Sequence, residues 1–125
     1  MHLPGYGHKD FDALIQFPCI LPTVLEVLGL KSEALCMQGS IFLNVIDGMK
    51  SEHRGHVISG YHEAVDRCIR NKEWSYIKRP DNQPVELYNL IEDPKERINL
   101  IDERVNVALT LSSYYGLYFH RSETP

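Results

Sequence analysis

At 125 residues the chain has room for one domain or part of one, and a domain of that size buries roughly two-thirds of the surface its unfolded form exposes. Its formal net charge of -4, with 13 Lys and Arg scattered among 17 Asp and Glu, supplies no long-range attraction for nucleic acid or an anionic membrane surface. No apolar run approaches the roughly 20 residues of a membrane span, and the opening MHLPGYGHKD has neither the basic nor the apolar region of a signal peptide. The three cysteines, Cys19, Cys36 and Cys68, are spaced too widely for a disulfide framework or a zinc pattern, and no internal repeat or low-complexity run is present.

Met1 to Gly7 has the Pro-Gly composition of a loop. A helix is expected over Pro22 to Leu28, with Pro22 in its first turn, Gly29 just past its end, and Val24, Leu25 and Leu28 as its apolar face. Met49 to Gly55 is polar and reads as a loop, and Val57 to Tyr61 as a strand. Three short strands then follow: Cys68 to Arg70, Trp74 to Arg79 after the polar turn Asn71-Lys72-Glu73, and Val85 to Leu90 after the reversing loop Pro80 to Pro84. Asp93 suits an N-cap, Pro94 the first helical position and Glu96 the third, so a helical turn is expected there. A last helix is expected from Asp102 as N-cap through about Phe119, with Val105, Ala108, Leu109, Leu111, Tyr115 and Tyr118 as a broad apolar stripe. The fold class is therefore α+β: a small four-stranded antiparallel sheet packed against a C-terminal helix, preceded by a helical and loop segment.

The run Arg67-x-x-Arg70-x-x-x-Trp74-x-Tyr76-Ile77, then Glu86-Leu87-Tyr88-Asn89-Leu90, then Asp93-Pro94-x-Glu96-x-x-Asn99-Leu100 resembles the C-terminal subdomain of the sulfatase family, in the alkaline-phosphatase-like superfamily. Ser75 stands where that family usually has Lys, and Asn89 where it has Asp. Upstream, PTVLEVLGL is similar to the family's D-x-x-P-T-L-L helix, with Cys19 where Asp is usual. Gln38 to Gly48 is similar to its Q-G-R-S-L-L-P-L-L-x-G segment, with Ser40 for Arg and Asn44 for Pro. The resemblance implies that residues 1–50 are left over from a larger α/β domain, the chain starting inside or just after one of its strands, and that residues 51–125 are the C-terminal antiparallel-sheet subdomain. It further implies a parent enzyme, a sulfuric ester hydrolase using calcium and a formylglycine residue on a sulfated small molecule or glycan. The missing large catalytic domain would then be this chain's partner, and the chain by itself would be inactive, with no cofactor and no catalytic residue of its own.

Cys19-Ile20-Leu21-Pro22-Thr23 is not the C-x-P-S-R nucleophile segment: the proline is one residue too far and no Arg follows. Asp81-Asn82 has the residue types of the family's metal ligands but sits in a hairpin loop. His53, His56 and His62 lack the paired Cys or carboxylate of a metal site, so no metal is expected. The resemblance does imply that His62, Glu63 and Arg67 line the rim of the substrate cleft, an arginine being suited to a sulfate or carboxylate through its donor fork. The plainer reading pairs Arg67 and Arg70 with Glu63, Glu73 or Glu86 on the sheet surface. Phosphate-ester and phosphonate hydrolases share the superfamily. A free-standing binding or structural module, dimeric through the surface the large domain would cover, is the reading from another class; a large exposed apolar patch around Pro22 to Leu30 and Ile41 to Ile46 would fit either reading.

Overall fold

The computed structural model describes residues 5, 7–31, 33, 37, 39–60, 66–80 and 82–119, with side chains up to residue 115 in the last helix. The chain divides into two compact units, Met1–Arg54 and Gly55–Pro125.

In the first unit a short 3-10 turn, Phe17–Cys19, leads into helix α1, Ile20–Val27, and a one-turn helix α2 follows at Leu43–Ile46. The helix α1 starts two residues before Pro22, which is tolerated because the proline's missing N–H falls among the first-turn donors that have no intrahelical partner. Both helices end in the same way. Gly29 (φ 78°) and Gly48 (φ 76°) take the left-handed conformation, and the N–H groups of Leu30 and Met49 return to the carbonyls of Leu25 and Asn44. Phe42, Val45, Ile46 and Cys19 form the core, flanked by Ala13, Ile15 and Leu43. Of the apolar patch considered over Ile41 to Ile46, three side chains therefore point inward; over Pro22 to Leu30, Leu28 and Leu30 are exposed, while Pro22 is fully buried.

Thr23 joins the two helical segments. Its buried hydroxyl donates to the Cys19 carbonyl at 2.7 Å and accepts the Phe42 N–H at 3.1 Å, so one side chain closes the first turn of α1 and fixes the start of α2.

The second unit is an antiparallel meander in the order β1-β2-β3-β4, with β1 at Val57–Gly60, β2 at Arg67–Arg70, β3 at Trp74–Lys78 and β4 at Glu86–Asn89, followed by helix α3 at Val105–Phe119. The register brings Ile58, Ile69, Tyr76 and Leu87 into one row across all four strands. Ala108 and Leu111 of α3 join the buried cluster built on that row, with Tyr115 packed beside them and edge-on to Tyr76 at 6.2 Å. Fully burying side chains such as Ile69 and Leu87 is worth about 1.5–3 kcal/mol each.

Three expectations are corrected here. The helix α3 begins at Val105, not at Asp102: residues 101–103 form a turn, and the first helical bonds run from the Val107 and Ala108 N–H groups to the Arg104 carbonyl. Its apolar stripe is also narrower, because Val105 and Leu109 are 52% and 62% exposed. The turn at Asp93 is not helical either. Glu96 adopts φ 52°, which a right-handed helix forbids, and its N–H closes a turn on the Asp93 carbonyl.

Candidate functional site

Arg67 opens β2, and the tight turn after β2 decides what faces it. Asn71 Oδ1 accepts the Glu73 and Trp74 N–H groups at 2.9 and 2.6 Å, and the Asn71 N–H bonds the Trp74 carbonyl, leaving Lys72 and Glu73 as the loop. Counting back from that turn pairs Arg70 with Ser75 and Arg67 with Lys78. Both cations lie on the same face as the Ile69–Tyr76 row, at the end of the sheet next to Gly60 of β1. Arg67 is half-buried, Lys78 exposed. Like charges directly opposite in an antiparallel pair are unfavourable by a few tenths to 1 kcal/mol, and an anion between them reverses that sign. The Arg67 charge also acts on Tyr115, whose phenol is pushed far up, chiefly by burial and with the guanidinium opposing.

Of the three residues expected at the cleft rim, Arg67 is placed; His62 and Glu63 lie outside the described residues. Lys78 was not singled out in the sequence. Its signal was there in the Asn71–Trp74 turn, which fixes the register from which Lys78 follows.

Several charged residues of the motif serve the fold. Glu86 is gripped through both oxygens by Arg79, at 3.1 and 3.2 Å, and Arg70 pairs with Glu96 at 3.6 Å, so neither arginine-carboxylate pairing is the one read from sequence. Asp93 Oδ2 accepts the Arg97 and Ile98 N–H groups at 2.5 and 2.8 Å, which holds its carboxyl below the ordinary carboxylate value, the Ile98 bond being the main cause. Asn99 lies along the β4 edge. Its side chain accepts the Leu87 N–H at 3.0 Å and donates to the Val85 carbonyl at 3.1 Å, while the Leu100 N–H reaches the Leu87 carbonyl at 2.8 Å. An edge strand is thereby covered by the chain that follows it. Asn89 Oδ1 accepts from Ile91 and Glu92, an acceptor's task that Asp and Asn perform equally well.

The remaining candidates have local partners. His53 Nε2 lies 3.0 Å from Ser40 Oγ and its ring meets Phe42 edge-on at 5.7 Å. In the second unit, the His56 ring stacks on Tyr114 at 4.2 Å. Asp81 lies outside the described residues. Burial pushes the Cys68 thiol up, leaving it a packing residue against Ser75 at 3.7 Å. Among the described residues no three His, Cys, Asp or Glu side chains are grouped to hold a metal, and no helix is long and apolar enough to cross a membrane. The segment Cys19 to Thr23 does not fit a formylglycine either, since its sulfur is enclosed and bonded to Arg54.

A scan of the sequence against protein-family models finds no match, and neither does a search of curated proteins. Solved structures do match. A candidate sulfatase from Bacteroides thetaiotaomicron is similar at TM-score 0.68 and 22% identity, over 83% of this chain and 24% of its own. A 2-O GAG sulfatase is similar at TM-score 0.65 and 22% identity over the same shares. The candidate sulfatase yidJ from Bacteroides fragilis is similar at TM-score 0.71 and 17% identity, over 94% of this chain and 27% of its own. The resemblance to the C-terminal portion of the sulfatase family thus holds for the fold, over a stretch about a quarter as long as those structures.

Proposed function

We propose that this chain is the C-terminal portion of a sulfatase-like hydrolase of sulfate monoesters, one that borders the substrate and does not itself carry the reaction. The observation that supports it most is the match of 83–94% of this chain to a quarter of several sulfatase structures. Residues 1–50 then correspond to the end of a larger α/β domain and residues 51–125 to the C-terminal subdomain. A parent of this kind takes calcium and a formylglycine from its larger domain, and that domain is this chain's partner.

In this reading Arg67 lies on the cleft rim with His62 and Glu63, and Lys78 adds a second charge beside it. Two cations paired across β2 and β3 suit the monoanion of a sulfate ester, bound through one guanidinium fork and one ammonium. The 2-O GAG sulfatase among the similar structures makes a sulfated glycosaminoglycan disaccharide the first ligand to try. NMR titration of the chain with that disaccharide and with its unsulfated counterpart tests the assignment. The sulfated sugar alone is expected to shift Arg67 and Lys78, with the shift lost in Arg67→Gln. Equal responses to both sugars, or none, would remove Arg67 from the rim.

A further inference from the structure

The first unit contains a cluster that the proposed function leaves unused, at the N-terminal end of α1. Cys19 is fully buried, and hydrogen-bond donors from two other segments converge on its sulfur. Arg54 Nη2 donates to Sγ at 3.3 Å, the Ser40 backbone N–H points at it, and Ser40 Oγ lies 3.8 Å away. Arg54 Nη2 also donates to Ser40 Oγ at 3.2 Å, and the same hydroxyl stands 3.0 Å from His53 Nε2. The arginine is brought there by its backbone, which bridges to Leu14 beside the core residues Ala13 and Ile15.

The donor count is what distinguishes this sulfur from an ordinary packed thiol. A neutral S–H is a weak donor and a weak acceptor, so a guanidinium and a backbone amide aimed at it gain little. A thiolate in the same place neutralises a half-buried guanidinium and accepts both N–H groups as charge-assisted bonds. The neighbours favour the same assignment. Burial first, and then the charges of Arg54 and Lys50, hold the His53 imidazole below its ordinary value, so it is neutral at neutral pH and adds no competing cation. Among the described residues, Arg54 and His53 bond the cluster and Lys50 acts on His53.

We propose that Cys19 is held as a thiolate and pairs with Arg54 as a latch inside the first unit, tying α1 to Ser40 and to the segment that ends at Arg54; protonation of the sulfur opens it. The latch is a pH-sensitive joint. Although burial opposes ionisation most strongly, the Ser40 and Arg54 bonds together outweigh it and bring the thiol below its ordinary value. An acid whose folded-state value is depressed stabilises the fold fully above its unfolded value and loses that contribution as pH falls through the folded one. The latch therefore strengthens as pH rises toward the ordinary thiol value of about 8.5. It releases on the acid side of the folded Cys19 value.

Urea unfolding of the full chain across that range tests the proposal, comparing the natural protein with Cys19→Ser and Cys19→Asp. The midpoint advantage over Cys19→Ser is expected to grow with pH and to vanish in acid. The Asp variant, an anion of shorter reach, is expected to keep an advantage over Ser to lower pH. In an Arg54→Gln background burial is opposed by the Ser40 bonds alone, and the advantage is expected to stop growing with pH or to reverse. A difference that is independent of pH, or that grows with pH unchanged in Arg54→Gln, would overturn the latch. Should Cys19→Ser fail to fold, the ultraviolet absorbance of the thiolate decides, read in a chain carrying Cys36→Ser and Cys68→Ser so that Cys19 is the one thiol left: a transition below about 8.5 that Arg54→Gln moves upward is expected, and a transition at or above that value rules the thiolate out.

Discussion

Gly55–Pro125 buries an apolar row, Ile58, Ile69, Tyr76 and Leu87, against one helix, whereas among the described residues the buried core of Met1–Arg54 is Phe42, Val45 and Ile46 beside a cysteine, and the unit is knitted by a buried threonine. The sheet unit uses its polar motif residues at the margins, where Asn71, Asn89, Asp93 and Asn99 take up backbone groups at turns and along the β4 edge. The helical unit puts its polar joints, Thr23 and Cys19, in the interior and leaves Phe17, Leu21, Leu28 and Met49 exposed. One unit is held by apolar area and trimmed by hydrogen bonds. The other depends on hydrogen bonds inside a small core.

The largest expected effect breaks the apolar row. Leu87→Ala removes a side chain with no exposure and is expected to cost about 2–5 kcal/mol in urea unfolding. Thr23→Val probes the contrasting joint; it keeps the shape but strands the Phe42 N–H inside the first unit, for about 1–3 kcal/mol. Its near-isosteric apolar replacement would be neutral if area alone held this unit. Asn99→Ala uncovers the β4 edge and is expected to cost about 1 kcal/mol, with faster amide exchange at Leu87.

Two smaller effects sharpen the contrast. The Asp93 carboxyl is depressed in the fold, so its contribution is complete above the ordinary carboxylate value and fades as pH falls through the lowered one. The stability gap between the natural chain and Asp93→Asn is accordingly expected to narrow in acid. Phe17→Ser, at a side chain 84% exposed, is expected to change stability by less than about 0.5 kcal/mol while reducing the binding of a hydrophobic dye. A large loss of stability there would mean that Phe17 packs inside this unit after all.

Most of the sheet unit was legible in the sequence because its signals are local and agree. Alternation set the strands, Asn71 and Pro80 marked the reversals, and the sulfatase-like run placed all of them in order. The misreadings have equally local causes. Asp93-Pro94-x-Glu96 has the composition of a capping box, but the Asp93 carboxylate goes to the Arg97 and Ile98 N–H groups and Glu96 turns to positive φ, so no helix propagates. Asp102 looked like an N-cap, yet the chain first has to finish covering the β4 edge through Leu100. Ion-pair partners were the least legible feature. Arg70 finds Glu96 through a turn 26 positions downstream of β2's end, which no spacing rule anticipates. Arg67 was read as lying just before the strand and in fact opens β2, and Lys78 opposite it emerges only once the register is known.

The central claim, that this chain borders a sulfate-ester site without performing the reaction, is tested most directly by assaying the purified 125-residue chain on a chromogenic aryl sulfate with calcium present. The account predicts no turnover above the uncatalysed rate. Turnover that copurifies with the chain and is abolished by Arg67→Gln would contradict it, and would place the catalytic groups within these residues.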